Sequence, residues 1–136
     1  MDKVLLAVIL AGFGTQLIKL IIYFFKNKSL KFKDIFVTGG MPSSHSAFVV
    51  SLATIIYLVE GASTAFAISL ILAMIVLRDA YGVRRAVGEE GVIINKILKK
   101  VKMKTDTHFA MGHTPMQVIV GSLVGFAVSL LVFFLA

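Results

Sequence analysis

MQVIVGSLVGFAVSLLVFFLA, residues 116–136, closes the chain without one charged side chain. About 20 consecutive apolar residues carry a helix across the hydrocarbon core of a bilayer, so this stretch places the protein in a membrane. Residues 4–25 form a second run of that length, with only Gln16 and Lys19 as strongly polar members. Between them lie two shorter apolar runs, 46–59 and 62–77, separated by Glu60-Gly61, which reads as a tight turn. We read these two as a helical hairpin, each arm lengthened by polar residues buried in protein. A two-span protein with a soluble hairpin is the alternative. The expected fold is therefore all-α, a single integral membrane helical bundle of about four transmembrane helices, near residues 4–25, 44–59, 62–83 and 113–136.

Composition agrees. The 136 residues are 58% hydrophobic and include a further 11 glycines, against about 45–50% for both classes together in a soluble domain. Only 15% are charged, which excludes a disordered tail. Without cysteine there is no disulfide framework, thiolate metal site or cysteine nucleophile. Lys and Arg number 14 against 7 acids, a net charge of +7. In a soluble protein that excess would suggest nucleic acid. Here it is read as the basic loops of a multi-pass membrane protein, with no nucleic-acid partner. Lys26, Lys28, Lys31 and Lys33 follow the first run, and Arg78, Arg84, Arg85, Lys96, Lys99, Lys100, Lys102 and Lys104 lie between the third and the last. Four spans put both basic loops on one face, which the positive-inside rule makes cytoplasmic, with both termini opposite. One lysine before the first run and four after it is the wrong asymmetry for a cleaved signal. Within the long loop, Ile93, Ile94, Ile97, Leu98 and Val101 alternate at helical spacing with Lys96, Lys99, Lys100 and Lys102. An amphipathic helix over about 88–104 is expected in the membrane interface, either as a solvated lid or as a surface that attracts anionic lipid.

Chemistry in a membrane protein is marked by polar groups in or beside apolar runs. Four clusters qualify. Gln16 and Lys19 lie three apart on one helix face. Gly39-Gly40-Met41-Pro42-Ser43-Ser44-His45-Ser46 leads into the second run. Arg78, Asp79, Arg84 and Arg85 follow the third. Gly112-His113-Thr114-Pro115, with Gln117, opens the last. All fall at or near the same end of the bundle. Each has a bland explanation: Lys19 can snorkel, Ser43 and Ser44 can cap a helix, the arginines can be positive-inside anchors, and His113 can be an interfacial histidine. Together they describe an anion site. A helix N-terminus and its N–H groups bind phosphate, arginine matches phosphate oxygens, and histidine serves as nucleophile or general acid near neutral pH. No carboxylate cluster has divalent-metal spacing, so a mechanism without metal or cofactor is expected.

Pro42-Ser43-Ser44-His45 resembles the Pro-Ser-Gly-His signature of the type 2 phosphatidic acid phosphatase superfamily, related to the vanadium haloperoxidases. Gly112-His113, which opens the last helix, resembles that superfamily's final motif, Ser-Arg-x5-His-x3-Asp. The strings Thr38-Gly39-Gly40-Met41-Pro42-Ser43-Ser44-His45-Ser46-Ala47, Asp79-Ala80-Tyr81-Gly82-Val83-Arg84-Arg85 and Gly112-His113-Thr114-Pro115 are similar to the small divergent branch of the superfamily, which covers nearly the whole chain from Gln16 to Gly125.

The resemblance implies a lipid-phosphate phosphatase acting on a phospholipid or polyprenyl phosphate through a phosphohistidine. His113 would be the nucleophile and His45 the general acid. Ser43 would bind phosphate, and Ser44 would stand where a glycine N–H contacts it. The first superfamily motif, Lys-x6-Arg-Pro, is broken, since Gly40 sits where its arginine is expected seven residues after Lys33. Lys19 would replace its lysine. Thr107 occupies the position of the arginine in the final motif, so Arg84 or Arg85 would supply the guanidinium. Gln117 stands in place of the aspartate that orients the nucleophile; it can fix a tautomer but brings no charge. Asp79 or Asp106 is the charged alternative. Two rivals follow from the same residues: a lipid-phosphate binder that has lost catalysis, and a small anion transporter using Lys19 and Gln16. A bundle this small has little interior, and Gly12, Gly14, Gly121 and Gly125 would allow the close helix contact of a homodimer.

Overall fold

A computed structural model describes residues 2–27, 42–104 and 114–136. Its helices are α1 (Lys3–Asn27), α2 (Ser44–Glu60), α3 (Thr64–Tyr81), α4 (Val83–Lys100) and α5 (Pro115–Leu135), and there is no strand among the described residues. The fold is an all-α membrane bundle. Side chains such as Phe13, Ile71 and Leu123 point outward, while the inward positions are mostly alanine, glycine and serine. That inversion suits lipid as the surrounding solvent, where association rests on close packing of small residues.

The helices that contain α1, α3 and α5 are long and apolar enough to cross a membrane. α2 is the short member, as its apolar run suggests. At 17 residues it is about 26 Å long, short of the roughly 30 Å core. It is also the central helix, packed against α1, α3 and α5. A hairpin joins α2 to α3. Gly61 ends α2 at φ 71°, a left-handed value that suits glycine. Ser63 caps α3 and donates to Glu60 over 2.9 Å, and the Tyr57 and Phe66 rings meet at 5.0 Å.

α2 and α5 run parallel in one constant register. A Cβ on Gly121 would lie 2.3 Å from the Ser43 carbonyl oxygen, and one on Gly125 would lie 2.4 Å from that of Ala47. One turn further, Ser51 and Ser129 share a hydrogen bond of 2.8 Å, and the Ser129 hydroxyl also lies 3.1 Å from the Ser51 carbonyl oxygen and 2.9 Å from that of Gly125. Each step pairs residues 78 apart. The two helix backbones therefore touch over two turns. This corrects the use expected for Gly121 and Gly125: both are spent inside the chain and supply no surface for a second copy. Gly12 is likewise covered, by the Phe48 ring.

α1 lies antiparallel to both. Lys3 Nζ donates to the Phe133 carbonyl over 3.2 Å and sits above that ring. The same end holds the apolar core of Ala7, Ile55 and Val132.

α3 and α4 meet at Gly82, which caps one and starts the other with φ −101° and ψ −90°. Its N–H bonds the Arg78 carbonyl, and its own carbonyl accepts from Ala86. A Cβ there would come within 2.8 Å of the Arg78 carbonyl oxygen. The amphipathic helix consequently starts at Val83 rather than near residue 88.

Candidate functional site

The end of the bundle opposite the Ala7–Ile55–Val132 core carries most of the charge among the described residues. On α1 the buried positions Ala7, Ala11, Thr15 and Lys19 recur every fourth residue, so one stripe faces the bundle. The Thr15 hydroxyl turns back onto the carbonyls of Ala11 and Gly12 at 2.9 and 2.7 Å. Lys19 continues the stripe and is 5% exposed. It lies about 12 Å from the end of α1 and points inward instead of snorkelling along the lipid. No acid among the described residues forms an ion pair with it.

His45 is the second residue of α2 and is exposed at the helix start. The charged groups that act on it are Arg84, Lys19 and Asp79. Four helices thus contribute to one neighbourhood: Lys19 from α1, His45 from α2, Asp79 from α3 and Arg84 from α4. Asp79 and Arg84 form an ion pair of 2.9 Å across the Gly82 break. Both side chains are partly exposed, so the pair adds little stability. Arg85 pairs instead with Glu89 at 3.1 Å along its own helix. Of the two arginines left open by the sequence, Arg84 is thus paired across the break and Arg85 within its own helix. Asp79 is engaged with Arg84.

Ser43 is buried as the N-cap of α2. Its hydroxyl accepts from the Ser46 N–H at 3.3 Å and from the Ser46 hydroxyl at 2.9 Å. Its own N–H donates to the Gln117 carbonyl at 3.2 Å. The bond ties the start of α5 to the start of α2. Ser44 and His45 occupy the first turn of α2, where N–H groups have no acceptor within the helix. A helix start of this kind favours an anion through its dipole.

α5 begins with a capping box. Thr114 accepts from the Gln117 N–H at 3.3 Å, and the Gln117 side-chain oxygen accepts from the Thr114 N–H at 3.0 Å. The oxygen expected from sequence to orient an imidazole is therefore also a helix cap. His113, which directly precedes Thr114, lies outside the described residues, as do Lys33, residues 38–41, Asp106 and Thr107. Among the described residues no group of three or more acidic or histidine side chains could hold a metal.

A further signal for this geometry lies in the sequence: the four-residue spacing of small residues on both α2 and α5. It identifies Ser51 and Ser129, absent from the polar clusters above, as members of the frame that holds the two helix starts together.

Comparison with known proteins gives two matches. The sequence fits the Divergent PAP2 family over residues 1–128. It is 37% identical to Bacillus subtilis (strain 168) "Uncharacterized membrane protein YuiD" over 144 residues, covering 93% of this chain and 90% of that protein. No solved structure matches.

Proposed function

The chain belongs to the Divergent PAP2 family, and from that premise we propose that it is a membrane lipid-phosphate phosphatase. The substrate is a phosphate monoester or diphosphate on a phospholipid or polyprenyl chain, presented from the cytoplasmic leaflet. One observation carries the proposal: the buried, inward-facing Lys19 lies at the end of the bundle where the Ser43–Gln117 bond joins the two helix starts and Asp79 braces Arg84.

In the reaction, an imidazole nitrogen of His113 attacks phosphorus as the bond to the leaving oxygen breaks. Protonated His45 gives its proton to that oxygen, releasing the lipid alcohol or lipid phosphate. Neutral His45 then takes a proton from water as the hydroxide attacks the phosphohistidine. Inorganic phosphate leaves, and both histidines return to their starting states. Lys19, Arg84 and the N–H groups of Ser44 and His45 neutralise the equatorial oxygens. Phosphoryl transfer depends mainly on this positioning and charge compensation. With the Ser43 hydroxyl engaged as a helix cap, the Pro42–His45 segment holds phosphate through backbone N–H groups.

The capping box supports one rival, the lipid-phosphate binder without turnover. Gln117 brings no charge to stabilise an imidazolium, and its side-chain oxygen already accepts from Thr114. The test is release of inorganic phosphate from phosphatidic acid, phosphatidylglycerophosphate or a polyprenyl diphosphate in detergent. For a phosphatase, release should fall by about 10⁴-fold in His113→Ala, with a smaller loss in His45→Ala. No release from any of these lipids, with retained lipid binding, would favour the binder.

A further inference from the structure

α4 is built the wrong way round for a helix packed on its own protein. Its buried positions are glycines, Gly88 and Gly91. Its apolar positions Val83, Val87, Val92, Ile93, Ile94 and Ile97 and its C-cap Val101 are exposed. At 100° per residue Val83, Val87, Ile94, Ile97 and Val101 lie on one side of the helix, interrupted by Glu90, with the glycines beside that arc and Val92 and Ile93 outside it. Lys96, Lys99 and Lys100 flank or oppose the apolar side. Water is a poor neighbour for such a surface. A helix this apolar on one side and this basic on the other is suited to the headgroup–acyl boundary.

Position and charge select the occupant. Only Gly82 separates α4 from the end of α3, and the helix containing α3 is apolar and long enough to cross the bilayer. Its start is therefore tied to the membrane boundary. The helix carries five basic residues against two acids, and Lys102 and Lys104 follow it. We infer that α4 is a docking surface for the anionic lipids of its own leaflet, with its apolar side in the acyl boundary and its lysines on the headgroups. Because Arg84 stands in the first turn of α4 and is braced by Asp79 across Gly82, lipid bound along α4 also anchors the arginine nearest the candidate site. The docking itself does not depend on the phosphatase reading.

The chain has no tryptophan, so one substituted indole is an unambiguous reporter. Ile97→Trp, and separately Ile94→Trp in case one variant fails to fold, would be reconstituted into vesicles of phosphatidylcholine with or without phosphatidylglycerol. Part of the lipid would carry bromine near the headgroup or at the chain end. Lys99→Trp reports the opposite side. The expected result is quenching of the indole at positions 94 and 97 by the shallow bromines, little quenching at position 99, and accessibility of position 99 to aqueous iodide. Brominated phosphatidylglycerol should quench more than brominated phosphatidylcholine at equal fraction. Lys96→Gln with Lys100→Gln should shrink that preference by up to about fivefold per lysine. Iodide access at positions 94 and 97 would overturn the proposal in favour of a solvated helix. Shielding from both iodide and bromine would overturn it in favour of a protein partner or second copy. Equal quenching by both lipids would overturn the anionic selection.

Discussion

The two ends of the bundle use the same backbone frame for opposite purposes. At one end Ala7, Ile55 and Val132 close an apolar core, and Lys3 binds the Phe133 carbonyl. At the other end the α1 stripe terminates in Lys19, α2 begins at a capped N-terminus, and Asp79 and Arg84 meet across a helix break. Both ends have small residues in the seams. What differs is whether the space the seam leaves is filled with methyl groups or with charge. A buried ammonium costs solvation free energy, and lipid-embedded ionisable groups are expensive to retain. The charged end is where stability is given up, and that is the physical reason to look for function there.

Among substitutions in the helices that frame the two ends, the largest expected effect tests that trade. Lys19→Met should lower phosphate release about 100-fold, the size seen when one preorganised donor to a transferring group is removed. The same substitution should leave thermal stability unchanged or raised, because a well-packed apolar side chain replaces a buried charge. Phosphate release and unfolding temperature, measured on one preparation, check both halves. Lost stability with unchanged release would make Lys19 structural.

Next is the seam. Gly121→Val places carbon against the Ser43 carbonyl oxygen, which is backbone and cannot swing aside. Overpacking of this kind costs about 1–3 kcal/mol, read as a lower midpoint in denaturant titration. It also pushes the start of α5 from the start of α2, so activity should fall further than stability accounts for. Gly14→Val is the control, since nothing lies within 4 Å of a Cβ there; it should leave the midpoint in place. Equal effects at both glycines would contradict the α2–α5 register.

The smallest effect sharpens the same comparison. Ser51→Ala and Ser129→Ala each remove one partner of a buried hydroxyl pair. Interhelical hydrogen bonds in membranes average about 0.6 kcal/mol, so each variant should lose roughly that. A double-mutant cycle should show coupling. Full additivity would mean the two hydroxyls do not depend on each other.

Much of this is legible in the sequence. The uncharged run at the C-terminus and the polar clusters at one end of the apolar runs point to an all-α membrane bundle with a site at one face. Lys19 taken alone does not tell whether it faces lipid or protein. Its position on the Ala7–Ala11–Thr15 stripe decides it, because residues four apart share a helix face. Gly121 and Gly125 suggest a contact for another copy only because a Gly-x3-Gly pair names no partner. The partner follows from the matching spacing of Ser43, Ala47 and Ser51. That Arg84 pairs with Asp79 and Arg85 with Glu89 depends on how the chain turns at Gly82, which spacing alone does not encode. The Ser43 hydroxyl serves the helix, as capping chemistry allows, while the first-turn N–H groups of its neighbours have no helical acceptor to compete with an anion.

The most direct test of the central claim is an experimental structure of the protein with orthovanadate, a mimic of the transferring phosphoryl group. The expected result is vanadium bonded to a ring nitrogen of His113, with His45 at the opposite apical oxygen and Lys19 and Arg84 on the equatorial ones. Vanadate bound away from both imidazoles, or the two rings at opposite ends of the bundle, would contradict it.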